Sequence, residues 1–124
     1  MTEIIIQADE LELRAELNES EASRRLLETL PASFAASRWG DEYYGDCGVH
    51  VELDDTAREI LEVGELAYWP PGSALCIFFG PTPASTDDRP RAASPVIPMG
   101  RLLDDAPLAK LGGSVRLSLR RAED

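Results

Sequence analysis

The side chain with the clearest chemical potential in this sequence is a carboxyl group between aromatic residues. Glu42 lies between Trp39 and Tyr44. A carboxyl group enclosed by rings loses hydration, which raises its pKa and lets it act as a general acid or base. The same group can instead accept a hydrogen bond from a tyrosine or a backbone amide, and among 23 acidic residues one beside an aromatic is expected by chance. Glu42 is therefore a candidate catalytic residue, with a structural role as the alternative.

The aromatic residues all fall in one central stretch, from Phe34 to Phe79. If its strands are neighbours, the rings can line a groove, because Tyr and Trp combine an apolar body with a polar group. Aromatic grooves suit extended, proline-containing peptides. Adjacent strand residues point to opposite faces, so only one of the last two rings can face the groove. The predicted groove residues are Trp39, Tyr44, Trp69 and one of Phe78 and Phe79. Burial of all the rings in the core is the alternative.

The remaining reactive side chains predict no metal, cofactor or nucleophile site. His50 is the single histidine and falls among the polar positions of an alternating run, as a surface residue does. Cys47 and Cys76 form no Cys-x-x-Cys pair, so we expect reduced thiols, with Cys76 buried in its apolar run. The sequence has no phosphate loop, no Gly-x-Gly-x-x-Gly and no Gly-x-Ser-x-Gly motif. We therefore expect neither a metal nor a cofactor.

Length and charge restrict the classes of partner. The chain of 124 residues fits one domain, 1–124. Its formal net charge of −11 repels phosphate backbones and anionic lipid headgroups, so neither nucleic acid nor a membrane is an expected partner. The start Met-Thr-Glu-Ile-Ile-Ile lacks the basic residues and the long apolar stretch of a signal peptide, and no run is long enough to span a membrane. We therefore expect a cytoplasmic protein.

The elements that must position these residues are mostly strands. Alternating residues on both sides of Asp9-Glu10 predict a hairpin over 4–17. Apolar residues at helical spacing predict a helix that begins after Asn18 or Ser20 and ends at Pro31. Alternating or continuous apolar runs predict further strands over 34–39, 49–53, 60–63, 66–69, 75–79, 96–103 and 115–120.

The second half of the chain is punctuated by proline and glycine. The segment 80–95 is rich in proline and small polar residues, which predicts a long loop at the border of the groove. Pro98 indicates an edge position or a bulge in the strand over 96–103. A short helix capped by Asp104 or Asp105 is predicted over 107–111, and a frayed tail over 121–124. Many short strands with close turns favour a barrel or a sandwich.

Two motifs resemble those of a known family. The run GELAYWPPGSALCIFFG over 64–80 is similar to the signature of a small cyclophilin-like family of uncharacterised bacterial and archaeal proteins, known from a Thermotoga structure. The run WGDEYY over 39–44 resembles its second motif, Trp-Gly-x-Glu-x-Tyr, and 94–102 resembles a strand that ends in a Gly-Lys/Arg pair, here Gly100-Arg101. The chain departs from the family at 97–99, where Ile-Pro-Met replaces an asparagine-containing strand, so any contact of that asparagine does not carry over.

The resemblance implies a mainly β fold, a closed eight-stranded antiparallel cyclophilin-like barrel with two short capping helices. The helices predicted from periodicity, after the first hairpin and before the last strand, agree with this order. The larger relatives, the true cyclophilins, are peptidyl-prolyl isomerases in which an arginine donates to the twisting amide. In the run over 36–42 only Arg38 matches their sequence around that arginine. Arg38 is thus the second candidate catalytic residue, and a surface arginine is the alternative.

Three functions follow from these observations. We expect foremost a binding module without catalysis, which holds an extended proline-containing peptide or a small apolar ligand in the aromatic groove. A divergent prolyl isomerase that uses Arg38 is the first alternative. A structural protein that forms homo-oligomers, with its aromatic residues buried, is the second.

Overall fold

The first two strands form the hairpin predicted from the alternating pattern. The computed structural model describes residues 1–105 and 107–122. Strand β1 (Thr2–Ala8) pairs antiparallel with β2 (Leu11–Leu17), and Asp9 turns the chain between them with a φ of 51°. Ile4, Ile6 and Ala8 of β1 and Leu13, Ala15 and Leu17 of β2 are buried on one side, whereas Ile5 points to the other.

The hairpin is followed by α1 (Glu21–Thr29), the one α-helix among the described residues. Of the two candidate caps, Ser20 occupies the N-cap position, and its hydroxyl accepts a hydrogen bond from the backbone N–H of Ser23. The helix ends before Leu30 and Pro31, because proline has no N–H to donate. The start and the end agree with the sequence prediction.

Seven further strands complete the described part of the chain. They are β3 (Ala32–Arg38), β4 (Glu42–Asp46), β5 (Arg58–Ile60), β6 (Glu65–Trp69), β7 (Ala74–Phe78), β8 (Arg91–Leu102) and β9 (Ser114–Arg121). Every pairing is antiparallel.

The strands close into a ring of eight. Their order is β2-β1-β9-β3-β4-β7-β6-β8, and β8 pairs back with β2, while the short β5 lies beside β8 outside the ring. The mainly β class and the antiparallel arrangement of eight strands are confirmed. Closure leaves none of these eight strands as an open edge, which protects their backbone groups from pairing with another chain.

The second predicted helix is not an α-helix. Over 107–111 the structure has a 3-10 turn, Leu108–Lys110, whose bonds join Lys110 N to Pro107 O and Leu111 N to Leu108 O. A segment held between a proline and Gly112 is too short for a series of i→i+4 bonds, so the tighter i→i+3 bonds form instead. The predicted cap Asp104 does not serve it either, because its carboxylate accepts from Arg14 N at 2.8 Å.

Other elements also differ from the prediction. Strand β4 was not predicted, and the strand expected over 60–63 is β5, Arg58–Ile60. The segment over 49–53 forms no strand; its alternation reflects packing, since Val49 is buried and Tyr68 Oη donates to Val49 O at 2.6 Å. Strand β8 begins at Arg91, so the predicted loop ends five residues early. Arg121 belongs to β9 rather than to the predicted tail, the end of which lies outside the described residues.

A bulge interrupts β8 next to Pro98, the second of its two prolines. Leu66 lies opposite Gly100 and Ala67 opposite Pro98, so one residue of β8 has no partner between them. This confirms the bulge that proline predicted, since proline cannot donate to the sheet.

Alternation along the strands creates two apolar clusters. The larger cluster receives buried side chains from all eight strands of the ring and therefore fills its interior. A smaller cluster covers the outer face of β6, β7 and β8 and consists of Leu61, Ala67, Ala74, Cys76, Phe78, Ala92 and Val96. The candidate site lies against this outer cluster.

Candidate functional site

The period of two along β4 decides which residues of the central motif reach the outer face. Tyr43 points inward and is fully buried, with its hydroxyl hydrogen-bonded to Gly112 O at 2.5 Å. Glu42 and Tyr44 therefore point outward. In the register with β7, Glu42 lies opposite Phe78 and Tyr44 opposite Cys76.

The turn between β3 and β4 places Trp39 next to these two side chains. Trp39 N donates to Glu42 O at 2.9 Å, and Asp41 N donates to Pro81 O at 2.9 Å. Gly40 has a φ of 60°, and a Cβ atom there would come within 2.7 Å of Pro83. Glycine is required at this position because both the backbone conformation and the close approach of the 81–83 segment exclude a side chain.

Trp69 joins the site from β6, across the intervening strand β7. Its ring meets Tyr44 edge to face, with centroids 6.2 Å apart and planes at 80°. The outward residues of β7 at this level, Ala74 and Cys76, are small, which leaves room for the two rings. The indole Nε1 donates to Ser94 Oγ at 2.8 Å and fixes the ring against β8.

These side chains enclose a cavity of about 220 Å³. Its lining residues are Trp39, Glu42, Tyr44, Trp69, Ala92, Ala93 and Val96. Ligand pockets for whole small molecules usually measure about 300–1,000 Å³. A cavity of this size accommodates one compact apolar group, such as a single side chain or a small ring. We call it the outer pocket.

Glu42 carries the one carboxyl group among the lining residues, and it is only 5% exposed. Burial raises its pKa from 4.5 to about 7, and a hydrogen bond with the Cys76 thiol partly offsets this rise. Burial and the neighbouring Glu42 carboxyl in turn raise the pKa of Cys76 well above its usual value. Within 1–105 and 107–122 no basic side chain forms an ion pair with Glu42.

The chemistry of the outer pocket follows from this environment. A carboxyl group with a pKa near 7 exchanges its proton near neutral pH, so it donates a hydrogen bond when protonated and presents a negative charge when ionised. The other lining side chains are aromatic rings and methyl-bearing residues, apart from the phenol of Tyr44. The pocket is therefore suited to selecting a ligand by shape and charge.

Comparisons with known proteins place this arrangement in a family. A family model described as cyclophilin-like matches residues 2–115. The chain belongs to the cyclophilin-like family. A hypothetical protein from Archaeoglobus fulgidus, with a solution structure, is similar to it at 35% identity, over 98% of this chain and 95% of that one, with a TM-score of 0.82. Among curated proteins none matches. The family inferred from the motif over 64–80 is thus confirmed.

The second motif of this cyclophilin-like chain coincides with the outer pocket. The Trp, Glu and Tyr of Trp-Gly-x-Glu-x-Tyr are Trp39, Glu42 and Tyr44, and all three line the cavity. Trp69 comes from the long motif over 64–80. The two segments that carry the family resemblance therefore meet at one place.

The other predicted catalytic residue, Arg38, lies elsewhere in this cyclophilin-like fold. Its guanidinium donates to the carbonyl oxygens of Gly40, Ala109 and Leu111 at 2.8–3.1 Å and to the carboxylate of Asp41 at 3.0 Å. It also lies 5.2 Å from the ring centroid of Phe79. Arg38 thus joins the end of β3 to the 3-10 turn, and it does not line the outer pocket.

The two adjacent phenylalanines point to opposite sides, as expected for a strand. Phe78 is fully buried in the outer cluster, beneath the face that carries the pocket. Phe79 packs against the interior cluster and stacks on Tyr43 with ring centroids 5.6 Å apart. Neither ring lines the cavity, although Phe78 lies on its side of the sheet.

Sequence reasoning missed part of the wall. Ala92, Ala93 and Val96 line the pocket, and Ser94 holds the indole. Ala92 and Ala93 belong to the segment 80–95, which was predicted to be a loop at the border of the groove. Small residues in a proline-rich segment do not predict a strand. Their place became visible only with the pairing of β8.

The remaining reactive residues lie apart from this site. His50 is exposed and its Nδ1 lies 2.8 Å from Ser73 Oγ. In the described part of the chain no group of three or more His, Cys, Asp or Glu side chains is arranged to hold a metal ion. None of the described helices has the length and apolar composition needed to cross a membrane.

Proposed function

We propose that this chain is a binding module that holds one compact apolar group in the outer pocket, either the proline ring of an extended peptide or a small apolar ligand. The observation that carries the proposal is that Trp39 and Tyr44, from the motif over 39–44, and Trp69, from the motif over 64–80, line one cavity. The Trp69 ring is already fixed by its hydrogen bond to Ser94 and loses little entropy when a ligand binds. Burial of the whole aromatic set, the alternative reading, leaves this accessible cavity unexplained.

The size of the outer pocket limits the ligand. A cavity of about 220 Å³ takes one ring or one branched side chain. A fragment of that size gains at most about 1.5 kcal/mol per non-hydrogen atom and usually much less, so isolated fragments should bind with dissociation constants of about 1 mM. A peptide would add backbone contacts outside the cavity and bind more tightly.

Binding is tested by titrating the ¹⁵N-labelled protein with N-acetylproline amide and following the two indole N–H signals by NMR. We expect saturable shifts of the Trp69 and Trp39 signals. Trp69→Leu should abolish the saturable shift of Trp39, whereas Phe34→Leu, a change of another half-buried ring outside the pocket, should preserve it. Shifts that do not saturate, or that persist in Trp69→Leu, would contradict the proposal.

The contacts of Arg38 support a structural role rather than catalysis. Four of its five N–H donors are occupied by protein acceptors. An arginine engaged in this way has little capacity left for the nitrogen of a twisting proline amide. A protease-coupled assay with a proline tetrapeptide separates the isomerase alternative from the binding module: catalysis by the native chain that is lost in Arg38→Lys would favour the isomerase.

Self-association is the third alternative, and sedimentation velocity at several concentrations tests it. A monomer at every concentration leaves the outer pocket free for another ligand. A dimer that dissociates in Trp69→Leu would instead make a second copy of the chain the occupant.

A further inference from the structure

We infer that the outer pocket selects an organic cation, an alkylated ammonium head group, over a neutral group of the same shape. This inference rests on the proposed function, since the pocket must first bind a ligand. It goes beyond it by assigning the charge of the ligand and by giving Glu42 the role of its counter-ion.

The walls carry the side chains that recognise alkylated ammonium groups elsewhere in proteins. Three aromatic rings, Trp39, Tyr44 and Trp69, line the cavity, and Trp69 and Tyr44 meet edge to face at 80°. The face of an aromatic ring has a negative electrostatic potential and attracts a cation placed within about 6 Å of its centre. Trp gives the strongest attraction of the natural rings.

A carboxyl group completes the enclosure. Glu42 lines the same cavity and is 5% exposed, and among the described residues no basic side chain neutralises it. An ionised carboxylate removed from water is costly unless a counter-charge is supplied. A bound cation would supply that charge, whereas a neutral apolar ligand would leave it unpaired.

We expect the ammonium group of the ligand to be alkylated because the pocket walls offer few hydrogen-bond acceptors. A primary ammonium is strongly hydrated and requires several acceptors to replace its water. Apart from Glu42 and the phenol of Tyr44, the lining residues present rings and methyl groups, such as Ala92, Ala93 and Val96. A trimethylammonium head spreads its charge over methyl groups, loses less hydration free energy, and packs against these walls.

The volume of the outer pocket and the negative net charge of the protein agree with a cationic head group. A volume of about 220 Å³ admits a compact head group, with the rest of the ligand outside. The net charge of −11 attracts cations to the surface and repels anions. The head group can belong to a small free molecule such as choline or to a trimethylated lysine of a peptide, and the experiment separates these two sources.

Ionisation of Glu42 should make the affinity of the outer pocket for a cation depend on pH. The titratable groups next to Glu42 are the Cys76 thiol on β7 and the Tyr44 phenol on β4, while the lining residues of β8 carry no ionisable group. Because the pKa of Glu42 is about 7, the free pocket is mostly neutral at pH 6 and mostly anionic at pH 8. Affinity for a cation should therefore rise across this interval, and affinity for a neutral ligand should not.

The test compares choline with 3,3-dimethylbutan-1-ol, which has a carbon atom in place of the ammonium nitrogen and nearly the same shape. Binding is followed through the indole signals of Trp39 and Trp69 at pH 8. We expect choline to bind at least about tenfold more tightly than the alcohol, which corresponds to about 1.4 kcal/mol. Glu42→Gln should reduce this preference to the smaller part that the rings supply, and Glu28→Gln, an equal change of net charge on exposed α1, should retain it in full.

The outcomes separate this inference from the proposed function. If neither compound nor N-acetylproline amide binds, the proposed function fails and the inference fails with it. If the neutral compounds bind and choline binds no better, or if Glu42→Gln keeps the preference undiminished, the cation inference is overturned while the binding module stands. A preference for choline that falls in Glu42→Gln and not in Glu28→Gln supports the inference. A third titration, with N-acetyl-trimethyllysine amide, then identifies the source of the head group by which cation binds more tightly.

Discussion

The stability of this protein should depend on pH through Glu42, and in the opposite sense to most carboxylates. Burial raises its pKa from 4.5 to about 7, so the folded state holds a proton that the unfolded state releases. Stability from this group is complete below about pH 4.5 and is lost as pH rises through 7. One pKa unit is about 1.4 kcal/mol, so the ionised form costs about 3 kcal/mol of folding free energy at pH 8.

Glu42→Gln removes this cost because the amide has nearly the shape of the protonated acid and does not ionise. We expect the variant to gain about 2 kcal/mol relative to the native chain between pH 5 and pH 8. Urea unfolding of both proteins at pH 5, 6, 7 and 8 measures this difference. The other carboxylates titrate equally in both chains and cancel.

Glu28→Gln provides the matched control, because Glu28 is exposed on α1 and is not part of the site. Its stability relative to the native chain should change by less than about 0.5 kcal/mol over the same range. A constant offset between Glu42→Gln and the native chain is compatible with the reasoning, since the amide can pack less well against Cys76. A difference that does not grow with pH, or that falls, would refute the assignment of a raised pKa to Glu42.

Three further predictions concern stability and thiol reactivity. Arg38→Ala should lower the free energy of unfolding by about 2–4 kcal/mol through the loss of its hydrogen bonds. Arg38→Lys should recover little of this loss, because an ammonium group cannot replace the planar guanidinium. A loss below about 0.5 kcal/mol for Arg38→Ala in urea unfolding would contradict the prediction. Gly100→Ala should abolish or severely reduce folding, because its Cβ would overlap a backbone carbonyl of β2. Gly112→Ala, where a Cβ would have no atom within 4 Å, should lower the free energy of unfolding by less than about 1 kcal/mol. Equal thermal stabilities of the two variants would refute the close approach at Gly100. Cys47 and Cys76 should react slowly with a disulfide reagent at pH 8 in the native protein and rapidly in urea, because burial raises the pKa of both thiols. Fast labelling of Cys76 in the native protein would be inconsistent with its buried position.

Much of the fold could be read from the sequence because it depends on short-range patterns. Alternation fixed the first hairpin, a serine and a proline bounded α1, and Pro98 marked the bulge in β8. These features follow from side-chain direction and from the missing N–H of proline, which act over a few residues. The motif over 64–80 also identified the family.

Short-range patterns misled where packing replaced pairing. The alternating run over 49–53 resembles a strand, yet its backbone joins no sheet; instead the Tyr68 hydroxyl donates to Val49 O and accepts from Val51 N. The helix expected over 107–111 became a 3-10 turn since too few residues separate its flanking proline and glycine.

By itself, the sequence determined that Glu42 stands among aromatic residues and that Phe78 and Phe79 cannot face the same side. Only the tertiary structure decided that Glu42 shares a cavity with Trp69 while Arg38 points away from it. The physical reason is that a strand sets the face on which a side chain lies, whereas the order of strands in the ring sets its neighbours. That order depends on contacts between residues far apart in the chain, and no local pattern encodes it.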